Sequence, residues 1–191
     1  MTTAYFIADT HFGHTKIIGF CNRPFANVEE MDNTLIDNWN AVVKPDEDIY
    51  ILGDFAFIVA NKVHAIVTRL NGRKHLIRGN HDRFIKRYDK YADDFVWIKD
   101  YAEVEINERR FILFHYPIME WAGYYRNAIH VYGHVHNQAV AQASVEQLEK
   151  APKQHYTLPG RAVNVGVDVT GFKPISVLDV IRLADENAKI R

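Results

Sequence analysis

His75-Leu76-Ile77-Arg78-Gly79-Asn80-His81-Asp82 is the stretch whose reading decides the fold. Its mainly apolar start reads as a short buried strand, and Gly79 stops it. Three side chains that can bind a metal or move a proton follow at once. Working outward, four other apolar runs end in the same way. Residues 5–8 lead into Asp9 and His11, and residues 49–52 into Gly53 and Asp54. Residues 111–114 lead into His115, and residues 129–132 into Gly133, His134 and His136. On extended backbone, residues two apart face the same side, so Asp9 with His11, and His134 with His136, are expected to grip an ion together. Strands that deliver such residues at their carboxyl ends mark the crevice at the edge of an α/β sheet.

Between these runs the helical spacings are plain. In residues 28–43, Val28, Met31, Leu35, Trp39 and Val42 share one face, and Asn27 is placed to cap it. A second helix is expected over 61–70, stopped by Asn71-Gly72, and a last one over 177–184 behind Ser176. Residues 83–91 read as a polar helix. Residues 95–99, 102–107 and 110–114 read as a meander of strands turning at Asn107-Glu108. Residues 12–25 read as a loop near the crevice, and the polar stretch 138–156 as an excursion over the site or at its rim, with a short helix at 144–150.

Composition narrows the class. At 191 residues, the chain is long enough for one domain with a substantial core, taken as 1–191. The formal net charge of -1 gives no support for binding extended duplex nucleic acid or an anionic membrane. A single cysteine, Cys21, rules out an internal disulfide and a cysteine-based zinc framework. No apolar stretch approaches the ~20 residues that span a bilayer, and the start of the chain lacks a basic-then-apolar leader. A reducing, cytoplasmic setting is the expectation.

The strand-end residues carry the chemistry. Asp9, His11, Asp54, Asn80, His115, His134 and His136 make two carboxylates, one amide and four imidazoles. That is too many for one zinc-type site, which takes three or four protein ligands, and it suits two ions about 3.5–4 Å apart. Nitrogen and oxygen donors without thiolate favour manganese, iron, zinc or nickel over calcium. Two such ions would hold a phosphate ester beside an activated water. His81, next to Asn80 but not needed as a ligand, is assigned as general acid, with Asp82 to orient it. His14, Arg23 and Tyr116 are the expected substrate contacts, with the loop charges alternatively solvated. A serine-nucleophile elbow, a P-loop and a dinucleotide fingerprint are all missing from the sequence.

Taken in order, Asp9-Thr10-His11, Gly53-Asp54, Gly79-Asn80-His81-Asp82, His115 and Gly133-His134-Val135-His136 resemble the motifs of the calcineurin-like metallophosphoesterase superfamily. The resemblance spans most of the chain, which is similar in length to compact bacterial and phage members. It implies a four-layer α/β/β/α sandwich. It also implies a first metal on Asp9, His11, Asp54 and His136, and a second on Asp54, Asn80, His115 and His134, with manganese the foremost candidate. The activity it implies is hydrolysis of phosphoesters, with diesters ahead of monoesters and a nucleotide or cyclic nucleotide as the small substrate. The contrasting reading is a binding platform without catalysis, as a retromer subunit of this fold is. Such a platform would be expected to lose ligands or the acid histidine, and this chain keeps them all.

Overall fold

Most of the apolar runs become inner strands of two sheets packed face to face. The computed structural model describes residues 3–136 and 160–189. In the first sheet, Ala4–Ile7 (β1), Asp48–Ile51 (β2), Arg73–Ile77 (β3) and Trp97–Lys99 (β4) run parallel, and Ile175–Ser176 (β9) pairs antiparallel with β1. The strand order is β4-β3-β2-β1-β9. The second sheet holds Tyr101–Ile106 (β5), Arg109–Phe114 (β6), Ile129–Tyr132 (β7) and Ala162–Asn164 (β8) in sequence order. There β5 and β6 form a hairpin, while β6, β7 and β8 are parallel.

Both faces of the first sheet are covered, which is why its strands are almost continuously apolar. Alternate residues take opposite sides. Phe6, Tyr50, Leu52 and Ile77 face the second sheet and meet Phe111, Leu113, Ile129 and Val131. Ile7, Ile49, Ile51 and Leu76 face the other way, onto helices Val28–Val42 (α2) and Ala60–Val67 (α3). Full burial of such a side chain contributes about 1.5–3 kcal/mol. Trp39 of α2 is completely buried, and its indole N–H donates to the Asn71 carbonyl at 2.9 Å.

Local signals set the helix starts. The Asn27 side chain accepts from the Glu30 amide at 2.9 Å, which satisfies one open donor of α2. Ser176 does the same for Val177–Asn187 (α5), accepting from the Asp179 amide at 3.2 Å. This last helix buries Val177, Val180 and Ala184 in the core between the sheets. The outer face of the second sheet is covered by Trp121, packed over Ile112, Ala128, Tyr132 and Ala162. Helices thus flank a two-sheet α/β core, the architecture expected.

Three local readings change. Residues 12–25 contain a helix, Thr15–Phe20 (α1), because the glycines that looked like loop punctuation are tolerated in a single short turn. Residues 95–99 do not join the meander: β4 extends the first sheet beside β3, and the chain crosses to the second sheet before Tyr101. Residues 83–91 form two 3₁₀ segments, Arg83–Arg87 and Asp89–Asp94, in place of one helix. The turn at Asn107-Glu108 stands as read, with φ of 51° and 62° at its two residues, the left-handed pair of a tight hairpin. The excursion at 138–156, with the helix expected at 144–150, lies outside the described residues. Among the described residues, no helix is long and apolar enough to cross a membrane.

Candidate metal centre

β1, β2, β3, β6 and β7 all end at one edge of the sandwich, and the side chains beyond their last residues converge there. The convergence is not made by extended backbone, as the D-x-H and H-x-H spacing had implied. Asp9, His11, Asp54, His134 and His136 all have positive φ, between 48° and 72°. Left-handed backbone costs a non-glycine residue about 1–2 kcal/mol, and such strain clusters at functional sites. At the exits of β1, β2 and β7 the backbone coils tightly, so that successive side chains turn back over the sheet edge.

Two glycines let the exits close on one another. A Cβ on Gly133 would lie 2.6 Å from Asp9 Oδ2, and one on Gly79 would collide with the Asp54 carboxylate and amide. Backbone amides from the neighbouring exits then aim both carboxylates. The His134 amide donates to Asp9 Oδ1 and Oδ2 at 3.1 and 2.9 Å. The His81 amide donates to Asp54 Oδ1 at 2.8 Å. That leaves Asp54 Oδ2 free to face the pocket, where it lies 3.5 Å from His11 Nε2 and 3.6 Å from His115 Nε2.

Two groups of donor atoms result, each within 4.8 Å of one another: Asp9, His11 and His136, and Asp54, His115 and His134. Asn80 joins the second group, its Oδ1 standing 3.1 Å from both His115 Nε2 and His134 Nδ1. His115 Nδ1 donates to the Leu52 carbonyl at 2.7 Å, so in the neutral ring Nε2 is a lone pair. That lone pair points at two oxygen acceptors, a clash of like partners that only a cation or a proton resolves. The buried His11 Nε2 also has no hydrogen-bond partner. A set of imidazole nitrogens and carboxylate and amide oxygens with their lone pairs turned inward fits divalent cations.

Electrostatics agree with that fit. Burial, followed by the nearby His136 and Arg23, drives the His11 imidazole down to about 2, so it is held in the neutral, coordinating form. Burial pushes the Asp9 carboxyl up to about 7, with Asp54 and Asp168 adding repulsion against the pull of His136 and the His134 amide. Positive charge in the pocket is what would ionise it at neutral pH. His115 is likewise lowered, mainly by burial.

The remaining expected site residues divide. His81 stands at the pocket, its ring 5.5 Å from that of His11 and edge-on to Phe57 at 5.4 Å. His14 is beside it, Nδ1 3.4 Å from His11 Nδ1, its ring stacked on Phe57 at 4.3 Å. Tyr116 flanks the other side, 4.6 Å from the His134 ring, and is partly exposed. Asp82 does not orient His81. Its carboxylate accepts from the amides of Asp54, Phe55, Ala56 and Gly79 at 2.8–3.3 Å, so it ties two strand exits together. Nor is Arg23 a substrate contact: its guanidinium is buried and every nitrogen is engaged. Nε and Nη2 donate to the two oxygens of Asp168 at 2.8 and 2.9 Å, and Nη2 and Nη1 to the carbonyls of Asp9 and Thr10 at 2.7 and 3.0 Å.

Asp168 is the residue that sequence reasoning missed. It stands in the first turn of the short helix Val167–Thr170 (α4) and accepts from His136 Nδ1 at 2.7 Å. That bond leaves Nε2 as the His136 nitrogen available to the pocket, the usual role of a carboxylate behind a metal-binding histidine. Burial works against the charged ring, yet the bonds to Asp168 and Cys21 and the charge of Asp9 raise His136 to about 10. The only sequence signal was Asp168's place at the end of an alternating valine run, a weak one.

An α/β sandwich with this edge defines a metal-dependent phosphoester hydrolase. Residues 3–171 match the model of the calcineurin-like phosphoesterase superfamily domain, and the chain belongs to that superfamily. It is similar to an uncharacterized protein of Methanocaldococcus jannaschii, 34% identical over 100% of this chain and 96% of that protein. The gene 66 protein of Mycobacterium phage L5 is 38% identical over 43% of this chain and 41% of its own length. A solved structure of a protein of unknown function from Aquifex aeolicus aligns with a TM-score of 0.67 at 28% identity, covering 96% of this chain and 100% of that one.

Proposed function

We propose that the protein is a phosphodiesterase working with two divalent cations, manganese foremost. Asp9, His11, Asp54 and His136 would hold one cation; Asp54, Asn80, His115 and His134 would hold the other. The observation that carries this reading is the position of Asp54 Oδ2, almost equidistant from His11 Nε2 at 3.5 Å and His115 Nε2 at 3.6 Å. One carboxylate oxygen between two donor groups is what a shared ligand requires. When bound, the cations neutralise charge on the phosphoryl oxygens and lower the pKa of water toward neutrality.

The chain supplies the proton for the leaving group. His81 Nδ1 is buried without a partner, and Nε2 is the nitrogen we assign to the substrate. Protonated there, His81 donates to the departing oxygen as the ester bond breaks. Its backbone amide is bonded to Asp54 Oδ1, which keeps the acid at a fixed distance from the shared carboxylate. Stacking against Phe57 holds His14 beside it, where it can donate to a non-bridging oxygen. Tyr116 borders the opposite side of the same opening.

Hydrolysis of bis(p-nitrophenyl) phosphate with added Mn²⁺ tests the reading, alongside the corresponding monoester. Asp54→Asn and a chelator should each abolish turnover. His81→Gln should lower kcat by ~10²–10⁴-fold, with the larger loss on alkyl esters whose leaving groups need the proton most. Elemental analysis should find two cations per chain; saturation at one would overturn the shared-ligand assignment. A monoester turned over faster than the diester would move the preference to phosphomonoesters.

A further inference from the structure

Beside the metal centre lies a cavity of about 720 Å³ that is not needed to hold the scissile phosphate. Asn80 forms part of its wall, so the cavity adjoins the second donor group. Arg83 and Lys86 line it, with Arg78 at the exit of β3, Asp89, and Asp82, whose carboxylate is engaged by backbone amides. Arg83 and Lys86 are three apart on a 3₁₀ segment, where residues i and i+3 eclipse, so both heads rise from the same side. Among the described residues neither has a carboxylate partner, whereas Arg78 is shared with Asp100 at 3.2 Å.

The segment that presents them is held firmly. Phe84 is buried between Phe55 and Tyr88, with ring centroids 6.3 and 5.1 Å away. Asp82, just before it, is fixed by its bonds to four backbone amides. In a chain of formal net charge -1, two cations without an ion-pair partner among the described residues, on a rigid support next to a phosphoryl site, are an anion-binding arrangement.

We propose that this cavity binds a second phosphate of the substrate, so that the natural ester carries at least two phosphate groups. The inference rests on the phosphoesterase reading and specifies its substrate class. Arg83 and Lys86 contact the second phosphate, and Asp89 limits how much negative charge the cavity accepts.

Three esters decide it: the dinucleotide TpT, its 5′-phosphorylated form pTpT, and dithymidine diphosphate, whose two phosphates are adjacent. The Mn²⁺-loaded wild type should favour pTpT or dithymidine diphosphate over TpT by about tenfold or more in kcat/KM, less at high salt. Preference for pTpT identifies nucleotide-spaced phosphates, and preference for the diphosphate identifies contiguous ones. Arg83→Gln/Lys86→Gln should bring that ratio close to one, and Asp89→Asn should raise it, an increase that damage to the fold cannot produce. A wild type that ranks the three equally, or a double variant that keeps the ratio, overturns the proposal. If none of the esters and no bis(p-nitrophenyl) phosphate is hydrolysed, the hydrolase reading fails on its own. Calorimetric binding of pTpT against TpT then still decides the cavity.

Discussion

Replacing Arg23 with methionine keeps most of the volume of the stem and removes the charge. The pair it leaves is deeply buried, with side-chain exposures of 0% for Arg23 and 1% for Asp168, so solvent does not screen the loss. Asp168 keeps only His136 as a partner, and the carbonyls of Asp9 and Thr10 lose their donors. Breaking one side of a buried ion pair costs ~3–5 kcal/mol, because the remaining charge stays desolvated. In a chain of this size each kcal/mol lowers Tm by ~2–4 °C, so a drop of roughly 6–20 °C is expected. Urea unfolding in the presence of chelator measures this without contribution from bound metal. Manganese affinity should fall by ~10–100-fold as well, since His136 and the Asp9 turn lose a common support. Asp168→Leu placed on Arg23→Met should restore part of the stability, by removing the stranded carboxylate. A loss below about 1 kcal/mol with unchanged metal affinity would refute the reasoning.

Three other outcomes are expected. His130 is buried with Nδ1 donating to the Ile112 carbonyl at 3.1 Å, and burial lowers it to about 4. The unfolded chain therefore takes up a proton first as pH falls below ~6.5, and stability should drop by roughly 3 kcal/mol between there and about 4. His130→Gln, followed by urea unfolding across that range, should flatten this part of the profile. Glu108→Gly relieves a residue held at φ of 62° in the β5–β6 turn, and a gain of roughly 0.5–1 kcal/mol should appear as a higher Tm. Gly133→Ala would put a methyl 2.6 Å from Asp9 Oδ2 and 2.5 Å from the Ala8 methyl. Turnover should fall by at least ~10²-fold and metal content with it, while circular dichroism stays native in shape.

Much of the site was readable because its residues follow apolar runs, and a run that stops at a ligand-type side chain is a local signal. Asn80, His115 and the two histidines after Gly133 needed no knowledge of pairing. The misreadings of Arg23 and Asp82 share one cause, a partner outside the local sequence. Arg23 looked like a loop cation because Asp168, which engages it, is 145 residues further on. Asp82 looked like the companion of its neighbour His81, but the amides it binds belong mostly to the β2 exit. The extended D-x-H and H-x-H geometry failed for a different reason: period-two spacing records which residues share a side, not how the backbone achieves it. Sheet membership was similarly hidden. The strand 95–99 and the hairpin after it differ little in composition, and only packing separates β4 from β5.

The Arg23–Asp168 contact also sets an order of events during synthesis. The turn that carries Asp9 leaves the ribosome early, and the carboxylate that secures both Arg23 and His136 is made long afterwards. Until that late piece docks, the Arg23 guanidinium lacks the carboxylate that neutralises it. A nascent chain halted before position 168 would therefore be expected to hold its sheet better than its ions, and metal capture would be the closing act of biogenesis.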